Sequence, residues 1–161
     1  MALNVGDTAP DFTLKSKNET GEVKDVALSG YKGKNVVLFF FPAAWTGVCT
    51  KEMCTVQENF NAYNSLNTVT LGISTDTIFA LKRFKEDYKL DNILLLSDFN
   101  KEAIKAYDVV FNNFSVGYNG VAMRSTFLID KEGVLRYAEV LKAQGDFPDM
   151  DALQNAIKSL G

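Results

Sequence analysis

The chain has 161 residues, 47% hydrophobic and 23% charged, enough to bury a core without covalent staples and unlike a disordered or fibrous sequence. Lys and Arg number 17 against 20 Asp and Glu, a formal net charge of −3 with no basic run longer than a pair, which argues against a nucleic-acid or anionic-membrane surface. With no histidine and 2 cysteines, zinc sites built from soft ligands are excluded, and so are Ser-His-Asp and Cys-His catalysis.

The opening "MALNVGDTAP" has no charged and then apolar leader pattern, and no apolar run approaches the roughly 20 residues of a spanning helix. A cytoplasmic protein is expected, folded as one domain over 1–161. "DFTLKSKNETGEVKDVAL" (11–28) reads as a β-hairpin with Thr20-Gly21 in its turn. "VVLFFF" (36–41), "VTLGI" (69–73) and "ILLL" (93–96) are short, nearly continuous apolar runs, the pattern of strands buried on both faces. Between them lie helical patterns from Val48 to Leu66, from Asp76 to Lys89 with Ile78, Leu81, Phe84 and Tyr88 recurring at helical spacing, and from Asn100 to Tyr107. "RSTFLIDKEGVLRYAEV" (124–140) forms a second hairpin around Asp130 to Gly133. Asp149 then caps a terminal helix with Met150, Leu153, Ile157 and Leu160 on one side.

Strand and helix alternation predicts parallel crossovers. The fold class is therefore α/β, with a central mixed β-sheet flanked by helices and an N-terminal β-hairpin extension. This order resembles the thioredoxin-like fold, with an inserted strand and helix.

Chemistry concentrates in "FFFPAAWTGVCTKEMC" (39–54). Pro42 cannot donate to a strand ladder, so the chain must turn there and enter a helix near Thr46 to Val48. Cys49 then lies in the first helical turn, where unpaired N–H groups and the positive end of the helix dipole favour a thiolate without any histidine. Thr46, three residues earlier, suits a helix cap or a hydroxyl aimed at the sulfur. The competing reading makes Cys49 a small buried residue closing a strand-to-helix corner. Trp45 and the phenylalanines at 39–41 read first as core, and "YDVVFNNFSVGY" (107–118) as either a contact patch or a buried loop lining. "GYNGVA" (117–122) offers two glycines that would permit movement, or a plain surface loop.

"PAAWTGVC" resembles the peroxiredoxin signature of proline, three residues, threonine or serine, two residues, cysteine. "MRSTFLID" (123–130) is similar to that family's arginine-bearing segment, and "VGDTAPDFTL" (5–14) to its N-terminal segment, so the resemblance runs from about residue 3 to 140. It implies that Cys49 is the peroxidatic nucleophile, that Thr46 bonds the sulfur and a peroxide oxygen, that Pro42 shields the thiolate, and that Arg124 supplies the guanidinium; Arg136 is the other candidate on the same hairpin. It also implies hydrogen peroxide or small organic hydroperoxides as substrate, thioredoxin or a similar dithiol as reductant, no cofactor, and allows a homodimer contact near Trp45.

Cys54 follows Cys49 at C-x4-C spacing. On an unbroken helix the two Cα atoms would stand about 8.7 Å apart, whereas a disulfide spans roughly 4.4–6.8 Å. Pairing therefore requires the helix to unwind. The spacing is similar to the peroxiredoxin subgroup of the bacterioferritin comigratory protein, which implies that Cys54 resolves Cys49 within one subunit; otherwise Cys54 is an inert buried residue and an external thiol reduces Cys49. A dithiol reductase would require C-x-x-C and a proline before the last hairpin, and neither is present. A non-enzymatic peroxide sensor stays open as an alternative.

Overall fold

A computed structural model describes residues 3–17, 19–59, 67–143 and 145–160. Its strands are β1 (Thr13–Lys17), β2 (Val23–Ala27), β3 (Asn35–Phe40), β4 (Thr68–Ser74), β5 (Leu94–Ser97), β6 (Val110–Phe111), β7 (Val121–Ala122), β8 (Ser125–Ile129) and β9 (Leu135–Val140). Its helices are α1 (Gly47–Glu58), α2 (Ile78–Asp87), α3 (Glu102–Ala106) and α4 (Met150–Ser159). Among the described residues seven strands form one sheet in the order β2-β1-β5-β4-β3-β8-β9, and β6 pairs with β7 apart from it.

The three apolar runs are the centre of that sheet: β3, β4 and β5 are parallel neighbours, and β8 and β9 continue it as an antiparallel hairpin. Period-two geometry sorts β3 between two cores. Val36, Leu38 and Phe40 face Tyr107, Phe127 and Ile104, while Val37, Phe39 and Phe41 face Met53, Phe84, Leu153 and Ile157. Each such side chain contributes roughly 1.5–3 kcal/mol by leaving water. On the second face α1, α2 and α4 lie over the sheet, and Gly72 leaves room for the Leu95 side chain of β5: a Cβ there would stand 2.7 Å from Leu95 Cδ2 and 3.4 Å from Met53 Sδ.

Both expected hairpins form, the first in register from Thr13 opposite Ala27 to Lys17 opposite Val23. In the second, Asp130 Oδ1 accepts from Glu132 and Val134 N–H at 2.9 and 3.0 Å, and Gly133 takes the left-handed φ of 86° that the turn needs. Asp149 caps α4 by accepting from Ala152 N–H at 3.0 Å. Helix boundaries differ from the periodicity. The first helix runs to Glu58 with Asn59 at its end, and 60–66 of the expected span lie outside the described residues. The second begins at Ile78 because Thr77 caps it, its hydroxyl accepting from Ala80 N–H. The third shrinks to Glu102–Ala106 because the Asp98 carboxylate takes the N–H groups of Glu102, Ala103 and Ile104 at 2.8–3.1 Å. Among the described residues no helix is long and apolar enough to cross a membrane.

Candidate active site

The site forms where the C-terminal end of β3 meets the N-terminal end of β8. Their antiparallel register sets Phe40 opposite Ser125, so Arg124, one residue before β8, falls beside the turn that follows β3. Pro42 is buried in that turn, and Thr46 closes it as the residue preceding α1, with extended backbone angles of −74° and 152°. Thr46 makes no side-chain cap; its hydroxyl donates to the Ala43 carbonyl at 2.9 Å and so braces the turn.

Cys49 is the third residue of α1 and wholly buried. Arg124, 3% exposed, donates from Nη1 to Cys49 Sγ at 3.2 Å. A permanently charged guanidinium thus lies against a sulfur carried in the first turn of a helix, an arrangement that stabilises negative charge there. Arg136 does not join it: its Nε pairs with Asp130 Oδ2 at 2.6 Å on the half-exposed hairpin.

Glu52, one turn beyond Cys49, carries a role that the sequence reading missed. It is fully buried, and Oε1 stands 3.7 Å from the same Arg124 nitrogen, close enough for attraction and too far for a hydrogen bond. Burial pushes this carboxyl up to about 8, against the pull of Arg124, with Glu139 adding to the rise. The rise favours the uncharged carboxyl, which competes less with the sulfur for the Arg124 guanidinium. The available signal was the stripe Cys49, Glu52, Met53, Val56, a carboxylate on an otherwise apolar helix face.

Cys54 lies further along the same unbroken α1, half-buried against the second core, and both cysteines are free thiols. Burial, with Glu58 as a second cause, raises the Cys54 thiol above its ordinary range. Above Cys49, a cavity of about 300 Å³ opens between the start of α1 and the loop joining β6 to β7, lined by Thr46, Val48, Phe114, Val116, Tyr118 and Arg124. That loop is laced together: Phe114 and Tyr118 exchange backbone hydrogen bonds at 2.8 Å, and Gly120 N–H donates to Phe111 O at 3.0 Å. The 107–118 segment divides, with Tyr107 and Phe114 buried and Val116 and Tyr118 exposed at the mouth. The core reading holds for Phe39, Phe40 and Phe41 but not for Trp45, which is 46% exposed. Trp45 has left-handed backbone, φ 73°, which turns its ring outward over Phe84 and Tyr88.

Residues 5–138 match the model of the AhpC/TSA family. The chain belongs to this peroxiredoxin family. It is 42% identical to the peroxiredoxin Bcp of Bacillus subtilis over 137 residues, covering 84% of this chain and 83% of that protein. It is 36% identical to alkyl hydroperoxide reductase E of Mycobacterium tuberculosis over 161 residues, 98% of both chains. Among solved structures, the reduced 2-Cys peroxiredoxin of Plasmodium vivax aligns with TM-score 0.84 at 26% identity, covering 97% of this chain and 95% of that one. The peroxidoxin BcpB of Mycobacterium tuberculosis aligns with TM-score 0.82 at 28% identity, covering 98% and 97%. Membership makes this peroxiredoxin a thiol-dependent peroxidase with the thioredoxin-like fold expected from its element order.

Proposed function

We propose that this peroxiredoxin reduces hydrogen peroxide and small organic hydroperoxides with Cys49 as nucleophile. The observation that carries the assignment is the 3.2 Å contact between Arg124 Nη1 and Cys49 Sγ in the first turn of α1. The thiolate attacks the distal peroxide oxygen, the O–O bond breaks, and one proton is taken up, leaving Cys49 sulfenic acid and water or an alcohol. Arg124 and the N–H groups at the helix start hold the charge that develops on the peroxide oxygens. Pro42 keeps bulk water from the sulfur, and Thr46 positions the peroxide.

Cys54 then resolves: its thiol condenses with the sulfenic acid to give the Cys49–Cys54 disulfide and one water, after α1 has unwound locally. Thioredoxin or a similar dithiol returns both cysteines to thiols, in the cytoplasm, where reducing pools sustain such a cycle. A homodimer contact is proposed around Trp45, where an aromatic ring stands out from the surface next to the site.

Reduced protein is mixed rapidly with less than one equivalent of peroxide, quenched and weighed by mass spectrometry. Cys49→Ser should lose all fast peroxide consumption; its retention would remove Cys49 from the mechanism. Cys54→Ser should still consume one equivalent and then accumulate sulfenic or sulfinic acid. Normal turnover of Cys54→Ser with thioredoxin would make Cys54 structural.

A further inference from the structure

The turn between β3 and α1 is held from outside by one carboxylate. Asp76, just past the end of β4, accepts from Ala44 N–H through Oδ2 at 2.8 Å. The same oxygen accepts from Ser74 Oγ at 2.6 Å, and Ser74 Oγ in turn accepts from Asp76 N–H at 3.2 Å. Ser97 Oγ, at the end of β5, donates to Asp76 O at 2.5 Å. Asp76 is thus anchored at the ends of two central strands, and Ser74 is wholly buried. Ala44 is followed at once by Trp45 in left-handed backbone and by Thr46, the residue that precedes α1.

We infer that Asp76 is a positioning residue that sets the balance between the folded first turn of α1, which reacts with peroxide, and the unwound turn, which can form the Cys49–Cys54 disulfide. The inference rests on the reading that Cys49 is oxidised and Cys54 resolves it. The two tasks of α1 conflict. Reaction with peroxide needs Cys49 held against Arg124, and disulfide formation needs the intervening helix undone. Unwinding must carry the chain away at its upstream end, and there the Ala44 amide is tied to a post that belongs to the sheet and does not move with the helix. A hydrogen bond to a carboxylate at such a hinge shifts the equilibrium roughly tenfold or more. Asp76 touches neither thiol nor peroxide; it acts through the turn.

Reduced wild type, Asp76→Ala, Asp76→Asn and Ser74→Ala are compared in two measurements. Amide hydrogen exchange follows Thr50 to Met53, and stopped-flow fluorescence of Trp45, the single tryptophan, with quench and mass analysis, times sulfenic acid and disulfide formation separately. In Asp76→Ala, exchange in the first turn should rise roughly tenfold, sulfenic acid formation should slow, and the following disulfide step should accelerate. Asp76→Asn, which keeps an oxygen able to accept from Ala44, should stay near wild type. Ser74→Ala, which frees the carboxylate without removing it, should move in the same direction by a smaller factor and serves if the alanine variant at 76 does not fold. Unchanged first-turn exchange in these variants overturns the inference, whatever Cys54 does. Faster exchange spread evenly over β3 and β4 with both chemical steps slowed also overturns it, because that is general destabilisation. If no variant forms the Cys49–Cys54 disulfide while first-turn exchange rises and sulfenic acid formation slows in Asp76→Ala, the Cys54 reading fails and the positioning role is upheld.

Discussion

Replacing Glu52 by Gln tests the electrostatics of the site. In the folded protein burial pushes the Glu52 carboxyl from its ordinary 4.5 up to about 8. Across that window the folded state holds a proton that the unfolded chain has released. Stability from this group is therefore fully present below about pH 4.5, falls as the pH climbs, and levels off above about pH 8. A tenfold change in proton affinity is worth about 1.4 kcal/mol, so the loss across the window has a ceiling of about 4–5 kcal/mol. Glutamine has nearly the same shape and no proton to lose. Urea unfolding of reduced protein at pH 5, 7 and 9 should show wild type losing stability relative to Glu52→Gln, with the gap between them largest at pH 9. Peroxide reactivity should separate in the same way: above pH 8 an ionised Glu52 competes with the Cys49 thiolate for Arg124, and the variant escapes this decline. Parallel stability profiles for the two proteins would show that Glu52 is ionised throughout and fully compensated by Arg124, and the argument for a neutral carboxyl would fall.

Arg124→Lys keeps a charge but loses the fork that places Nη1 against the sulfur, and should slow sulfenic acid formation by about 10²-fold at unchanged fold; a rate within threefold of wild type in stopped flow would remove the guanidinium from the mechanism. Burial and Glu58 raise the Cys54 thiol in the intact helix, so Cys54 in the folded reduced protein should react with a small thiol reagent at a rate that climbs about tenfold per pH unit through the neutral range, and Glu58→Gln should speed that reaction at pH 7. A labelling rate unchanged by Glu58→Gln would remove Glu58 as a cause of the raised thiol. Asp98→Ala orphans three N–H groups at the start of α3 and should cost about 2–4 kcal/mol in denaturant unfolding with the peroxidatic rate intact, since the carboxylate bonds that helix start while the Asp98 backbone, which donates to Ser74 O at 2.7 Å, is kept.

Residue pattern alone was sufficient for the elements that bury themselves. Runs such as 36–41 had to be interior strands because they have no polar face to offer water, and Pro42 followed by a helix start had to be a corner. Cys49 was legible for the same local reason, since its place in the first turn of a helix follows from the chain immediately before it. Helix ends were less legible: Asp98 caps a helix from four residues upstream, and α2 begins at Ile78 behind its Thr77 cap rather than at Asp76, because side-chain bonds decide where helical hydrogen bonding starts.

Which arginine meets the sulfur was decided by tertiary structure, through the register that sets Phe40 opposite Ser125 and so brings Arg124, not Arg136, to the end of β3. The buried state of Glu52, the outward turn of Trp45 and the tie from Asp76 to Ala44 belong to the same class. Sequence determines which side chains can carry charge, donate or attack. Whether a carboxylate is ionised or neutral, and whether it braces a turn 32 residues away, depends on which elements the fold packs around it, because desolvation and hydrogen bonding act only across distances that the assembled sheet makes short.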